Sequence, residues 1–209
     1  MSRCVILSAA PTTNADFLRP LLRSDDVFIA ADGGWRLAEE LGVVPFAVVA
    51  DFDSSAVPAV SAETEIVSLP IRKDCTDTAA AVDFAVQRGY TDFLLLGCVG
   101  GRLDHQYAAM QLLVQLESKG CRAVMADADN RMVAVSRSPY AVEPMRGWSL
   151  SLFAFGDTVR GLSIHGAAYE LTDYDLAPDD PLCVSNAAEE DACTVSFASG
   201  TLLVFRSKC

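Results

Sequence analysis

Hydrophobic and polar positions follow two different spacings along the chain. Up to about residue 137, short apolar runs alternate with segments whose apolar residues recur every three or four positions, which is the pattern of strands separated by helices. The apolar runs predict strands at 4–8, 27–31, 47–50, 65–69, 92–97, 123–126 and 132–136. The periodic segments predict helices at 35–41, 78–87 and 103–118, each followed within a few residues by a glycine that can end a helix.

Beyond residue 137 the pattern is that of short strands without helices. Alternation of apolar and polar residues predicts strands at 149–155, 159–164, 168–171, 193–197 and 201–205. An Asp- and Pro-rich stretch at 173–181 predicts a loop. The sequence therefore predicts an α/β protein, with a Rossmann-like, mainly parallel sheet and its helices over residues 1–137, followed by a small antiparallel β-sandwich or barrel domain over residues 138–209.

The composition narrows the classes of function. The chain has 209 residues, of which 51% are hydrophobic, and this is enough for a packed core. A formal net charge of −12 disfavours a nucleic acid or an anionic membrane as partner, and no apolar run approaches the roughly 20 residues that a membrane helix requires. The seven cysteines form no CxxC pair, and the apolar run at 4–7 is too short for a signal peptide, so we expect reduced thiols and a cytoplasmic protein.

One apolar run ends in two carboxylates, Asp51 and Asp53, followed by Ser54. Alternate residues of a strand share a face, so both carboxylates project the same way where the strand ends. Their mutual repulsion is relieved by a hard divalent cation that prefers oxygen ligands, such as Mg²⁺. The alternative is an ordinary turn in which Asp53 or Ser54 bonds its own backbone.

Three further polar clusters lie at predicted strand ends or helix starts. They are Asp32 with Gly33 and Gly34; Lys73, Asp74, Thr76 and Asp77; and Gly100, Gly101, Arg102, Asp104 and His105. Because ligands of open α/β sheets bind beyond the carboxyl ends of the strands, we expect these groups to gather at one rim. Backbone N–H groups at a helix start and the guanidinium of Arg102 suit phosphate oxygens, so the rim is typical of a magnesium–nucleotide site.

The second and third of these clusters also have an ordinary structural interpretation. Asp74 or Thr76 can cap the helix that follows, and residues 100–104 can form a plain strand-to-helix turn. A lone histidine such as His105 is more often a structural hydrogen bonder than an acid–base group. The chain has no Walker A sequence, which excludes a P-loop enzyme, and it shows neither a Ser-His-Asp arrangement nor zinc-ligand spacing.

The four clusters stand in the order and spacing seen in thiamine pyrophosphokinases, and the chain resembles that family over nearly its whole length. The motifs are 31–34, 51–54, 73–77 and 100–105, followed by 147–152, 166–171 and 184–186 in the second part of the chain. The departures from the usual family pattern are Ala50, Ala109, Ala167, Ala168 and Glu170, whereas Tyr169 is retained.

The resemblance implies a reaction and a role for each motif. The reaction is the transfer of a pyrophosphoryl group from ATP to the hydroxyl of thiamine, giving thiamine diphosphate and AMP. The implied catalytic residues are Asp51, Asp53, Asp77, Arg102 and Asp104, of which Asp51, Asp53 and Asp77 hold Mg²⁺. The implied ATP contacts are Asp32, Lys73, Asp74, Gly100, Gly101 and His105.

The resemblance also places thiamine on the second part of the chain. Tyr169 would stack on a flat ring, with ordinary sheet packing as the alternative, and Ser185 and Asn186 would bond pyrimidine nitrogens. Family members are homodimers that share each active site between two chains, so we expect the same here. The alternative functions are another Mg-dependent transferase, such as a pterin pyrophosphokinase or a DxD glycosyltransferase, and a non-catalytic nucleotide or metabolite sensor.

Overall fold

The computed structural model describes residues 2–11, 14–52, 61–70, 72, 74–188 and 193–209. The chain divides into two units, Met1–Ala128 and Asp129–Cys209. None of the helices in the described residues has the length and apolar character needed to cross a bilayer.

The first unit is built around a parallel sheet. Its strands are β1 (Cys4–Leu7), β2 (Val27–Ala31), β3 (Ala47–Ala50), β4 (Glu65–Ser68), β5 (Asp92–Leu96) and β6 (Arg122–Ala126). They lie in the order β6-β5-β1-β2-β3-β4, and each neighbouring pair is parallel. From β1 the chain builds the sheet outwards through β2, β3 and β4, and then returns to the other side of β1 with β5. The order therefore reverses between β1 and β5, which is the point where open α/β sheets hold their ligands.

Helices connect these strands as the alternating pattern predicted. They are α1 (Ala15–Leu18), α2 (Gly34–Leu41), α3 (Asp77–Gln87) and α4 (Leu103–Ser118), with a short 3₁₀ helix at Arg19–Leu21. The predicted helices agree with α2, α3 and α4 to within one residue at either end. Helix α1 was not predicted, because four residues are too few to show a helical period; its N-terminus is capped by Asn14, whose side chain accepts a hydrogen bond from the Asp16 N–H.

The central strands of this sheet are buried on both faces, which explains their unbroken apolar sequences. Every residue of β1 and β3 is buried. Helix α2 lies directly against β1, since a Cβ atom on Gly34 would stand only 1.9 Å from the carbonyl oxygen of Leu7. The close contact fixes the turn at Asp32 and Gly33 above the end of β1.

The second unit is a sandwich of antiparallel strands, as the alternating pattern predicted. Its strands are β7 (Asn130–Val135), β8 (Tyr140–Ala141), β9 (Trp148–Ala154), β10 (Val159–His165), β11 (Leu171–Leu176), β12 (Asn186–Ala187), β13 (Thr194–Ser196) and β14 (Leu202–Lys208). Within this unit β12-β9-β14-β7 form one sheet and β11-β10-β13-β8 the other. Apolar side chains of both sheets, including Leu150, Leu152, Leu162, Val195 and Val204, share one core.

Several segments of the second unit differ from the sequence analysis, and the two-residue strands β8 and β12 were not predicted. The predicted strand at 132–136 is β7 and pairs antiparallel with β14. From the sequence it was assigned to the strand–helix region at 1–137. The predicted strand at 168–171 is wrong, because the strand starts at Leu171 and continues to Leu176 through the first part of the predicted loop. Leu176 is fully buried and β11 pairs with β10 through two register shifts. Register shifts interrupt the alternation of apolar and polar residues that identifies a strand. The Asp-rich sequence of this segment therefore predicted a loop although it forms a strand.

All seven cysteines lie in the described part of the chain and are free. Cys4, Cys98, Cys121, Cys183 and Cys193 are buried. Burial raises the pKa of the Cys4 thiol to about 12 and that of Cys98 to about 11. These thiols are therefore protonated and unreactive at neutral pH.

Candidate functional site

A cavity of about 580 Å³ opens at the reversal point of the parallel sheet. Ser8 follows β1 and Gly97 follows β5, and both line this cavity. The Ser8 N–H donates to the Leu96 carbonyl oxygen at 2.8 Å, which extends the pairing of the two strands to the cavity floor. Gly97 has φ +68°, and a Cβ atom there would lie 2.1 Å from the Ser8 carbonyl oxygen. The cavity floor is thus formed by backbone atoms, and only glycine fits at position 97.

The N-terminus of α3 forms one wall of the cavity. The Thr76 hydroxyl accepts a hydrogen bond from the Ala79 N–H at 3.1 Å and caps the helix, as one of the structural interpretations predicted. Asp77 lies in the first turn and lines the cavity together with Thr76 and Thr78. The Thr78 hydroxyl is 2.8 Å from that of Ser8. A hydroxyl pair therefore joins the first turn of α3 to the end of β1 beside a carboxylate.

The N-terminus of α4 forms another part of the cavity wall. Gly100 and Gly101 both have positive φ, and they line the cavity with Arg102 and His105. The Arg102 guanidinium donates two hydrogen bonds to Asp104, at 3.1 Å from Nε and 2.6 Å from Nη2. The hydrogen bonds from Arg102 lower the pKa of Asp104, and the same contact raises the pKa of Arg102. Both side chains are largely exposed, so this pair is accessible to an anionic ligand.

The cavity brings together six of the residues predicted from sequence. They are Asp32, Asp77, Gly100, Gly101, Arg102 and His105. Asp104 is held beside them by Arg102. Asp51 is half-buried at the end of β3 and Asp74 is exposed ahead of α3, and neither lines the cavity. Asp53 and Lys73 lie outside the described residues.

Sequence reasoning missed several residues of the cavity. Ser8, Thr78, Cys98 and Pro11 line it, and so does Ala109, which the sequence analysis noted only as a departure from the family pattern. Ser8 was predicted only as the last residue of a strand, because the candidate clusters were identified by their carboxylates. The available signal was its position at the carboxyl end of β1, equivalent to that of Asp32 after β2.

Within the described residues, no group of three or more His, Cys, Asp and Glu side chains is arranged to hold a metal ion. Of the three predicted Mg²⁺ ligands, Asp51 and Asp77 are described and Asp53 is not. Mg²⁺ commonly takes only one or two carboxylates and completes its shell with water and substrate phosphates. A carboxylate at the cavity wall, such as Asp77, therefore fits this ion without a closed cluster of protein ligands.

The second unit carries the residues predicted to contact thiamine. The Tyr169 side chain projects into solvent, with the residue 74% exposed. Ser185 is also exposed, has φ +60°, and donates its N–H to the Ser151 hydroxyl at 3.0 Å. Asn186 is buried, and its side-chain amide bonds the backbone of Tyr169 and Ala187. Contact of any of these residues with the vitamin stays a prediction.

Comparison with known proteins gives the same two-part organisation. Residues 18–125 match the family model described as thiamin pyrophosphokinase, catalytic domain, and residues 142–202 match thiamin pyrophosphokinase, vitamin B1 binding domain. The thiamine pyrophosphokinase of Bacillus subtilis (strain 168) is 26% identical over 192 residues, which are 87% of each chain.

Solved structures show the same fold. A thiamin pyrophosphokinase from Geobacillus thermodenitrificans superposes with a TM-score of 0.86 and 26% identity, covering 100% of this chain and 98% of its own. The thiamin pyrophosphokinase from Candida albicans, at 13% identity, shares the fold with a TM-score of 0.79 over 99% of this chain and 90% of its own.

Proposed function

The chain belongs to the thiamin pyrophosphokinase family, and from that premise we propose that the cavity at the reversal point of its parallel sheet binds Mg²⁺–ATP for transfer of pyrophosphate to thiamine. The observation that carries this proposal is the set of groups around one cavity. Asp32, Asp77 and Arg102 line it together with two glycines before α4. Carboxylates, a guanidinium and helix N-termini around one space suit a metal-bound polyphosphate better than an apolar ligand.

We assign the phosphate contacts to the start of α4. Arg102 has a planar guanidinium with several N–H donors. Its partner Asp104 is exposed, so we propose that phosphate oxygens replace Asp104 as the acceptor. Gly100 and Gly101 precede a helix of sixteen residues, whose N-terminal N–H groups favour anions. His105 and Asp32 line the same space and are proposed to contact the nucleotide. Lys73 and Asp74 keep the nucleotide-binding role that the family resemblance implies.

We assign Mg²⁺ to Asp77, with Asp51 and Asp53 as the further ligands implied by the resemblance. When bound, the ion neutralises charge on the phosphate oxygens during transfer. Asp77 is suited to hold it because the residue lies in the first turn of a capped helix beside the cavity. Asp104, in the first turn of α4, is proposed to orient the attacking hydroxyl once Arg102 has exchanged it for phosphate oxygens.

Thiamine is assigned to the second unit, where the vitamin B1 binding model matches. Tyr169 offers an exposed ring face for a heteroaromatic ring, and Ser185 an exposed hydroxyl. These groups lie on an open surface, so we propose that the chain acts as a cytoplasmic homodimer in which each site joins the first unit of one chain to the second unit of its partner.

In the proposed reaction the thiamine hydroxyl oxygen forms a bond to the β-phosphorus of ATP. The bond between that phosphorus and the oxygen bridging to the α-phosphorus breaks, AMP leaves with the electron pair, and the hydroxyl proton is released. Catalysis of this step requires positioning and charge neutralisation rather than a covalent intermediate with the protein.

The test is to incubate the full chain with Mg²⁺, ATP and thiamine and to identify the products by chromatography and mass spectrometry. Thiamine diphosphate and AMP in equal amounts are expected. ADP with thiamine monophosphate would contradict attack at the β-phosphorus. Binding of ATP without thiamine-dependent consumption would instead identify a sensor, and transfer to a pterin but not to thiamine would identify the related pyrophosphokinase.

A further inference from the structure

The buried side chain of Asn186 holds the backbone of an exposed aromatic residue. Asn186 is 6% exposed, whereas Tyr169 is 74% exposed. The Asn186 Nδ2 group donates to the Tyr169 carbonyl oxygen at 2.7 Å, and Asn186 Oδ1 accepts from the Tyr169 N–H at 3.0 Å. One amide therefore satisfies both polar backbone groups of the same residue, as a neighbouring strand would.

The surrounding contacts extend this attachment on both sides of Tyr169. Asn186 Oδ1 also accepts from the Ala187 N–H at 2.8 Å. The Ala168 N–H donates to the Ala187 carbonyl oxygen at 2.8 Å, and the Gly166 N–H donates to Glu170 Oε1 at 2.9 Å. The segment before β11 is thus tied to β12 by the asparagine and by its neighbour, while the Tyr169 side chain is exposed.

Taking the proposed function as its basis, we infer that Asn186 is a positioning residue for thiamine, acting through Tyr169 rather than by touching the vitamin. A ring presented on a fixed backbone loses less conformational entropy on binding than one on a loose loop. The amide is already engaged at both of its atoms with the backbone, and its burial directs it towards the protein. Asparagine is required in this role because the site needs a donor and an acceptor on one short, planar group.

Two substitutions separate the parts of this role. Asn186→Ala removes all three hydrogen bonds. Asn186→Asp keeps the two acceptor contacts but faces the Tyr169 carbonyl oxygen with a carboxylate oxygen, which cannot donate. Each is expected to raise the Kd for thiamine by roughly 3–10-fold, which corresponds to the free-energy cost of immobilising one side chain on binding. The Kd for a non-hydrolysable ATP analogue with Mg²⁺ is expected to stay unchanged.

The decisive experiment is a double-mutant cycle with Tyr169→Ala, measured by calorimetric titration of the full chain with thiamine alone. If Asn186 acts through Tyr169, then Asn186→Ala added to Tyr169→Ala changes the Kd by less than about twofold, although it has its full effect in the parent chain. An equal effect in both backgrounds would show direct contact with the vitamin and overturn the inference. So would an unchanged thiamine Kd in Asn186→Ala alone.

A matched control removes a similar bond elsewhere in the second unit. The Ser138 hydroxyl accepts from the Phe197 N–H at 2.9 Å, and Ser138→Ala is expected to leave thiamine binding unchanged. Thermal unfolding of each variant shows whether the sandwich is intact, and Asn186→Asp supplies the result if Asn186→Ala unfolds. The proposed function is tested by a different result. If the parent chain forms no thiamine diphosphate, the reaction assignment is wrong, whereas additive effects in the double-mutant cycle refute only the role of Asn186.

Discussion

The two candidate binding regions of this chain present their polar groups in opposite ways. In the first unit, Asp32, Asp77 and Arg102 surround a cavity whose floor is strand ends and glycine backbone. In the second unit, Tyr169 stands in solvent while the buried Asn186 holds its backbone. The first, here called the enclosed region, is a cavity with charged groups in its lining. The second, the presented region, is the exposed Tyr169 ring with the backbone that Asn186 holds. A polyphosphate needs the first arrangement, and a flat heteroaromatic ring suits the second.

Removing the Asp77 carboxylate is expected to have the most severe effect on the enclosed region. Asp77→Asn is expected to lower kcat by about a hundredfold or more, the scale seen when a group stabilising developing charge is lost. Asp83→Asn on the same helix is the matched control, since Asp83 makes an exposed ion pair with Lys119 at 3.2 Å. Steady-state kinetics across a Mg²⁺ titration, with thermal unfolding of both variants, supplies the measurement. Near-parental kcat in Asp77→Asn would exclude the residue from the metal site.

Mixing two defective chains tests whether the presented region is completed by a partner chain. Asp77→Asn damages the enclosed region and Tyr169→Ala the presented one. If each site joins the two regions from different chains, subunit exchange places both lesions in one site of a heterodimer, and activity returns to about a quarter of the parental level at limiting thiamine. Each variant incubated with itself is the control. Absence of recovery despite demonstrated exchange, or a fully active monomer in sedimentation, would contradict shared sites.

The enclosed region was largely predictable from sequence, for a physical reason. The carboxyl ends of parallel strands lie at one edge of the sheet, so polar residues that follow different strands predict a common site from the sequence alone. This logic located Asp32, Asp77 and Arg102. It did not find Ser8 or Thr78, because hydroxyl residues at strand ends and helix starts are too common to stand out unless the neighbouring strands are known.

The presented region was less predictable, because its organisation depends on contacts distant in sequence. The family resemblance placed Tyr169 and Asn186 in one site, but the hydrogen bonds between them join residues seventeen positions apart. Strand β11 was misplaced for a related reason: its pairing with β10 is irregular, so the alternation that marks a strand was interrupted. Sequence periodicity reports regular structure, and this part of the unit is irregular.

Replacing Arg102 tests whether the two regions bind different ligands. Arg102→Gln removes charge-assisted donors to phosphate, so the Kd for Mg²⁺–ATP is expected to rise roughly 10–100-fold, while that for thiamine stays the same. Because Arg102 lowers the pKa of Asp104, the substitution is also expected to raise the pKa of that carboxyl, measurable by NMR titration. Arg160→Gln, which breaks a comparably exposed pair with Asp175 at 2.6 Å, is the control. Equal weakening of both ligands would contradict the separation.

The smallest expected effect concerns the hydroxyl pair beneath the enclosed region. The Thr78 hydroxyl lies 2.8 Å from that of Ser8, which is 7% exposed, and the pair joins the first turn of α3 to the end of β1. Thr78→Val keeps the shape of the side chain but removes one hydrogen bond, whose net contribution of about 0.5–1.5 kcal/mol corresponds to a change of roughly 2–12-fold.

If the pair positions Asp77, this loss appears in kcat and in the Kd for Mg²⁺–ATP, and Thr78→Ser restores both because it returns the hydroxyl. If the pair serves stability alone, Thr78→Val lowers the thermal unfolding midpoint without changing either parameter, and the assignment to the site is wrong. Thiamine binding is expected to remain unchanged in all cases, because the hydroxyl pair belongs to the enclosed region and Tyr169 does not depend on it. If the Kd for thiamine also changed in the Thr78 variants, the two regions would be energetically coupled and would not be independent sites.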